Sequence, residues 1–178
     1  MRKTVLAIIL SAFGLAASAT AQELPGGRKG TGLPVPRYVS LKTDRVNLRE
    51  GPSKDHRTAW VFQRAGLPVE IIAEYETWRR IRDSEGTEGW VLHSLLSGRR
   101  TALVMPWAKE NAPPLTLLRS ADQASETVAR LQPGVIAHVK ACDGTWCRVV
   151  IAQGGPQDVD GYIRQERLWG VYPDETIE

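Results

Sequence analysis

The chain has 178 residues, with 23 Lys and Arg against 20 Asp and Glu, which is a formal charge of +3 at neutral pH. Arg2 and Lys3 belong to an N-terminal targeting pattern, and without them the balance is 21 against 20, or +1. A surface this evenly charged argues against a nucleic acid or another polyanion as the general partner.

The first 21 residues have the pattern of a secretory signal peptide. Arg2 and Lys3 precede an apolar run over residues 5–17, and small residues follow at positions 19–21. The run is too short, and too rich in small residues, for a comfortable membrane-spanning helix. We expect residues 1–21 to be removed after Ala21, with Ala19 as second choice. The mature protein is then periplasmic or secreted and has no membrane segment.

Residues 22–37 are rich in Gly and Pro and almost free of apolar side chains, which predicts a flexible linker. From Tyr38 the chain changes to short stretches that are rich in β-branched and aromatic residues and are separated by turn signals. No long segment repeats its apolar residues at helical spacing, so we predict an all-β fold, a small barrel or sandwich. The predicted strands of the first half are "RYVSL", "RVNLR", "TAWVF", "LPVEIIAEY", "TWRRIRD" and "EGWVL".

The second half of the chain repeats the first. Matching segments occur in the same order in both halves, at offsets of 68 to 72 residues. We therefore predict two copies of one β domain, at 38–100 and 101–172, and a C-terminal tail at 173–178. The matches are Asn47-Leu48-Arg49 with Leu117-Leu118-Arg119, Ala65-Gly66 with Pro133-Gly134, Trp78 with Trp146, Ile81 with Val149, and Gly89-Trp90-Val91 with Gly161-Tyr162-Ile163.

Cys142 and Cys147 are the two cysteines of the chain, and they flank a hairpin turn signal in "ACDGTWCRV". In an exported protein this placement predicts a cross-strand disulfide. A redox-active pair is the alternative, but it would favour a CxxC motif at the start of a helix. Glu74 and Arg79 occupy the equivalent places in the first copy, where we expect a cross-strand ion pair.

Several motifs together carry a family resemblance. "VNLREGPS", "AG" before "VEII", "W" before "RRI", "GTEGWV" and a closing "SLL" resemble the bacterial SH3 (SH3b) domain of cell-envelope proteins. The resemblance is close over 38–100 and looser over 101–172, where "LLRSADQA" replaces "NLREGPSK". The paired arrangement is similar to a group of exported tandem SH3 proteins of proteobacteria. The implied fold is two tandem small SH3-like β-barrels.

The resemblance also implies where a ligand would bind. It places aromatic and basic side chains along one shallow cleft in each copy, although the same aromatics could serve only to close small barrels. Arg49 could stack on a Trp, pair with a neighbouring acid or meet a ligand carboxylate, whereas Asn47 is expected to have a structural role. The expected lining residues are Arg49, Trp78, Trp90 and His93 in the first copy, and Trp146 and Tyr162 in the second.

The sequence offers little support for catalysis. The three histidines, His56, His93 and His138, lack metal-ligand spacing, and no nucleophile or phosphate-loop motif is present. The acidic stretch "RDSEGTEG" is better explained as a solvated turn between strands. We therefore expect no enzyme, cofactor or metal.

The function that these observations favour is non-catalytic binding in the cell envelope. The expected ligand is peptidoglycan or its peptide stems, whose carboxylates and methyl groups suit arginine and aromatic side chains. The alternative is a periplasmic adaptor that binds an envelope protein instead of murein.

Overall fold

The structure, a computed structural model, describes residues 30–109, 111–152 and 157–178. The predicted signal peptide, the predicted start of the linker at 22–29 and the segment 153–156 lie outside these ranges. The described chain folds into two antiparallel sheets, one for each predicted copy, so the prediction of an all-β protein built from two SH3-like units is confirmed.

Seven strands form the first sheet, in the order β3-β2-β6-β5-β4-β1-β7. A 3-10 turn, His93–Leu95, connects β6 and β7, the last two strands of this sheet along the chain. The six predicted strands of this copy all appear at the expected places. The bounds are β1 Arg37–Leu41, β2 Val46–Arg49, β3 Thr58–Phe62, β4 Pro68–Tyr75, β5 Trp78–Arg82, β6 Glu88–Leu92 and β7 Leu96–Ser97.

The second sheet repeats this order as β10-β9-β13-β12-β11-β8-β14, and β15 pairs with β11. A 3-10 turn, Gln165–Arg167, again precedes the closing strand. Residues 101–104 form the first strand of this sheet and not the last strand of the other. The bounds are β8 Thr101–Val104, β9 Leu115–Leu118, β10 Thr127–Leu131, β11 Ile136–Asp143, β12 Trp146–Ile151, β13 Val159–Arg164, β14 Leu168–Trp169 and β15 Thr176–Ile177.

Each sheet has its own apolar core, built by the alternation of side chains along the strands. In β2, Val46 and Leu48 are fully buried while Asn47 and Arg49 are half-buried on the other face. Val91 of β6 is fully buried in the same core. The outward face of β2 therefore carries the polar residues that the sequence places between the core positions.

Two glycines allow β2 and β6, and likewise β9 and β13, to cross closely. A Cβ atom on Gly89 would lie 2.6 Å from Cγ of Leu48, and one on Gly161 would lie 2.7 Å from Cγ of Leu117. Leu48 therefore corresponds to Leu117, and Arg49 corresponds to Leu118. The offset here is 69, and the sequence match that paired Arg49 with Arg119 at an offset of 70 was wrong by one residue.

The disulfide between Cys142 and Cys147 is present, as predicted, and joins two directly paired residues of β11 and β12 whose Cα atoms are 4.1 Å apart. The predicted ion pair stands at the same place in the first sheet. Nε of Arg79 lies 3.1 Å from Oε1 of Glu74, and both side chains are buried. A covalent link and an ion pair thus fix the equivalent hairpins.

Segments at both ends of the described chain add to these hairpins. Thr31 and Arg37 donate hydrogen bonds to the carboxylate of Glu74, so the described part of the predicted flexible linker is held in place by specific contacts. Thr176 and Ile177 form β15 beside the disulfide-linked hairpin, so the predicted tail is part of the second sheet. In each sheet a terminal segment supports the hairpin at its exposed side.

The two sheets meet at a polar junction centred on Glu70. Arg82 donates two hydrogen bonds to Oε2 of Glu70, at 3.0 and 2.6 Å, and the hydroxyl of Tyr172 donates to Oε1 at 2.9 Å. Tyr38 packs against Tyr172 and, edge-on, against Trp169. Burial and the negative charge of Glu70 raise the pKa of Tyr38 to about 12, which keeps its hydroxyl neutral.

We expect Gly161→Ala to lower the free energy of unfolding by about 1–3 kcal/mol, because the new methyl group would overlap Leu117 and the backbone of Leu118. Gly98→Ala is the matched control, since nothing lies within 4 Å of its Cβ position. Urea denaturation of the two variants would measure the difference, and equal midpoints would contradict the register described above.

The pH dependence of stability should report on Glu74. Burial opposes ionisation of this carboxyl, but hydrogen bonds from Arg37 and Thr31 and the charge of Arg79 lower its pKa from 4.5 to about 2. Since the pKa is depressed in the folded state, the stabilisation is complete above 4.5 and is lost as the pH falls towards 2; we expect it to reach up to about 3 kcal/mol.

Denaturation at a series of pH values would measure this loss. In Glu74→Gln the same window should show a weaker pH dependence, whereas the exposed-site control Glu85→Gln should follow the wild type. An unchanged pH profile in Glu74→Gln would show that the ion-pair cluster contributes nothing.

Candidate functional site

The outward face of β2 and the loop that follows it line a cleft of about 270 Å³ in the first domain. Asn47 and Arg49 come from alternate positions of β2, and Arg45 immediately precedes the strand. Trp78, at the start of β5, lies beside them and is only 7% exposed. We call this the first cleft; its lining residues are Arg45, Asn47, Arg49, Lys54, Trp78, Leu92 and Leu95.

The first cleft is basic. Arg45, Arg49 and Lys54 all line it, and none of its lining residues is acidic. Nη1 of Arg49 donates a 2.7 Å hydrogen bond to the carbonyl of His56, which orients the guanidinium without neutralising it. In the described part of the chain none of these three cations has a carboxylate partner. A cleft of this kind attracts an anionic group.

Glu50, the acid next to Arg49 in the sequence, is engaged elsewhere. Glu50, which follows Arg49 directly, pairs with Arg57, and this hydrogen bond lowers the pKa of Glu50. Of the alternatives for Arg49, pairing with its neighbour Glu50 is therefore not what the structure shows. Asn47 also differs from its expected structural role: among the described residues its amide has no hydrogen-bond partner, and it faces the cleft.

The structure brings together only part of the predicted first site. Arg49 and Trp78 line the cleft, but Trp90 and His93 do not. Trp90 is half-buried on the outer face of β6, where it pairs across the sheet with Arg49 and Arg80. His93 is exposed in the 3-10 turn. Trp90 thus borders the cleft through Arg49, and His93 is not part of its lining.

The second domain has an equivalent cleft, of about 490 Å³, which we call the second cleft. Its chemistry differs from that of the first cleft. Trp146 lines it at the position of Trp78, whereas Tyr162 does not line it. The guanidinium carbon of Arg164 stacks 4.8 Å from the ring centre of Trp146. The three basic positions of the first cleft are uncharged here: Pro114 stands for Arg45, Leu118 for Arg49 and Gln123 for Lys54.

Arg45 and Lys54 are functional candidates that the motif comparison missed. Arg45 shares the outward face of β2 with Asn47 and Arg49, so its period-2 spacing is a signal that the sequence contains. Lys54 lies in the loop after β2, and its approach to the cleft depends on the path of that loop, for which the sequence offers no comparable signal.

A third cleft, of about 350 Å³, lies between the domains on another side of the molecule. Trp60 of the edge strand β3 is 56% exposed and lines it together with Phe62 and Pro68. The second domain contributes Leu103 and Pro106. Charged residues, among them Arg64, Asp83 and Glu85, also line this groove, which is distinct from the two equivalent clefts.

Neither a metal centre nor a membrane span is found in the described ranges. No group of three or more His, Cys, Asp or Glu side chains there could hold a metal ion. No described helix is long and apolar enough to cross a bilayer.

Comparison with known families identifies both copies. The profile of the bacterial SH3 domain matches residues 42–98 and again residues 111–170. The chain belongs to the bacterial SH3 domain family. The matches lie inside the ranges predicted for the two domains, whose outer limits remain predictions.

Two of the solved structures that resemble this chain come from one organism. NlpC2 from Trichomonas vaginalis is 14% identical with a TM-score of 0.32, over 75% of this chain and 48% of its own. NlpC1 from the same organism is also 14% identical with a TM-score of 0.32, over 78% of this chain and 47% of its own. The chain thus spans about half the length of these structures. Comparison with curated proteins gives no match.

Trp78 should prove indispensable to the fold as well as to the cleft. Because it is almost fully buried, we expect Trp78→Ala to lower the free energy of unfolding by about 3–5 kcal/mol, whereas the half-buried Trp90→Ala should cost clearly less. Urea denaturation of both variants measures this. Equal costs would mean that Trp78 is not the better-packed side chain.

Proposed function

We propose that this protein is a non-catalytic binding protein of the cell envelope, and that its first bacterial SH3 domain holds the peptide stems of peptidoglycan. The observation that carries the proposal is a set of three cations, Arg45, Arg49 and Lys54, which have no carboxylate partner among the described residues and line a cleft with no acidic residue in its described lining. The predicted signal peptide supports the envelope as the location.

The chemistry of the first cleft suits a peptide stem. Stems carry free carboxylates beside small methyl side chains. Arg49 offers a planar guanidinium that can bind a carboxylate through two parallel hydrogen bonds, and Lys54 adds an adaptable charge. Trp78, Leu92 and Leu95 provide apolar surface for the methyl groups. Asn47 contributes an amide that can bond to the peptide backbone.

The second cleft is a weaker candidate for the same ligand. Pro114, Leu118 and Gln123 replace the three cations of the first cleft; Arg164 and Arg167 do line the second cleft, but Glu166 lines it too and contacts Arg167. Arg164 lies against Trp146, where a ligand would have to displace it. We therefore assign the anionic ligand to the first domain.

Sedimentation of the purified protein with insoluble peptidoglycan tests this assignment. We expect saturable retention, and we expect the double variant Arg49→Gln/Lys54→Gln to bind about tenfold more weakly or worse, because two charge-assisted contacts are lost. The matched control is Arg130→Gln, which removes an exposed charge from β10 of the second domain.

Two results would contradict the proposal. One is equal retention of the wild type and the double variant when circular dichroism shows both to be folded. The other is the absence of retention of the wild type at low ionic strength, where attraction between charges is strongest.

A second candidate function is an adaptor that binds an envelope protein. The groove between the domains favours it, because Trp60 lies exposed on an edge strand, where an extended peptide can add to the sheet. Trp60→Ala should abolish such binding and leave retention on peptidoglycan unchanged, which separates the two functions.

A further inference from the structure

Another basic cleft, different from the first and second clefts, has a volume of about 380 Å³ and lies where the two domains meet. Lys42 and Arg99 approach it from the first domain and His138 from the second, and Ser40, Gly66 and Ser97 form part of its wall. We call it the junction cleft. None of its lining residues is acidic, and none of its basic residues lines the first cleft.

The walls of the junction cleft are held by contacts between the domains. The hydroxyl of Thr101 donates a 2.8 Å hydrogen bond to the carbonyl of Gly66, and Gly66 in turn donates its N–H to the carbonyl of Leu41. The backbone N–H of Arg99 donates to Oγ of Ser97, which leaves the hydroxyl hydrogen of Ser97 free to donate. These hydrogen bonds hold the backbone segments that carry the basic side chains of the junction cleft.

The charges of the junction cleft are left without partners. Most described arginines contact a carboxylate, as Arg82 does with Glu70 and Arg148 with Asp160. Within the described ranges, Lys42 and Arg99 have no ion-pair partner. Both side chains are exposed and line the cleft, where an anionic ligand could contact them and compensate their like charges.

The protonation of His138 should depend on whether an anion is bound in the junction cleft. Burial, and next the charges of Arg99 and Lys140, hold the pKa of His138 below its usual value, and only Asp158 opposes them. The imidazole is therefore mainly neutral at neutral pH, with one N–H to donate. An anion bound beside it would remove the repulsion and favour its protonation.

The position of His138 also distinguishes the two copies. At the offset of 68 that relates β4 to β11, His138 corresponds to Glu70. Glu70 is buried with Arg82 and Tyr172 at the junction, while His138 faces the junction cleft. The same outward position thus carries an acid in one domain and a base in the other.

We propose that the junction cleft binds a phosphate group. A phosphate dianion matches the two permanent charges of Lys42 and Arg99, and its oxygens can accept from His138 and from the hydroxyl of Ser97. A carboxylate, with one charge, would leave part of the repulsion in place. This site is independent of the proposed binding of peptidoglycan by the first cleft.

Titration of the purified protein with inorganic phosphate at pH 7 and constant ionic strength, followed by NMR, tests the proposal. The ring signals of His138 should shift saturably and its pKa should rise, while exposed His93 serves as the internal control. In Lys42→Gln/Arg99→Gln we expect phosphate to bind at least about tenfold more weakly. Arg130→Gln is the matched control and should bind like the wild type.

The same NMR titration with acetate, and with sodium chloride, in place of phosphate provides the comparison. The proposal is overturned if His138 and His93 respond alike, if the double variant binds phosphate as the wild type does, or if acetate shifts His138 as strongly as phosphate. Should the double variant not fold, the single variants Lys42→Gln and Arg99→Gln decide the point. Each is then expected to weaken phosphate binding, and wild-type affinity in both would overturn the site.

Discussion

The close crossing of two strands over a glycine determines how each domain closes. At Gly89 and Gly161 no side chain separates β6 from β2 or β13 from β9, so Leu48 and Leu117 can lie directly against the neighbouring strand. This contact sets the register of β2, because a shift of one residue would exchange its two faces. Because Leu48 lies on the buried face of β2, the polar side chains of this strand lie on its other face, which lines the first cleft.

The same constraint explains why one fold presents two different clefts. The core positions of β2 and β9 are both apolar, as the crossing requires, but the outward positions are free to vary. The first domain uses them for Arg45 and Arg49, and the second for Pro114 and Leu118. An aromatic residue begins the second strand of the equivalent hairpin in both domains, Trp78 in β5 and Trp146 in β12, and it lines the cleft in each case.

Local patterns predicted most of the fold, whereas the assembly of the site depends on distant contacts. Alternation and turn residues located the strands of the first domain, and the hairpin spacing predicted both the disulfide and the pair of Glu74 and Arg79. The offset between the copies was wrong by one residue because Leu-Leu-Arg resembles Asn-Leu-Arg as letters. Only the approach of Leu117 to Gly161 shows which leucine belongs to the core.

Composition was also a poor guide to the contacts that the terminal segments of the domains make. The segment before β1 is rich in Gly and Pro and the segment after β14 is short and polar, which are features of free chain. Their order comes from partners far away in sequence: Glu74 for Thr31 and Arg37, and β11 for Thr176. Likewise, the membership of Lys54 in the cleft follows from the path of a loop, and no local pattern encodes that path.

The contact of Tyr172 with Glu70 has a consequence for avidity. Because this hydrogen bond and the stacking of Tyr38 join the domains, the two equivalent clefts are held at one separation and orientation instead of varying as on a flexible tether. A ligand that repeats along a polymer gains from the second cleft only if its repeat matches that separation. The junction therefore fixes the distance between the two clefts, and this is the spacing that a repeating ligand would have to match in order to contact both.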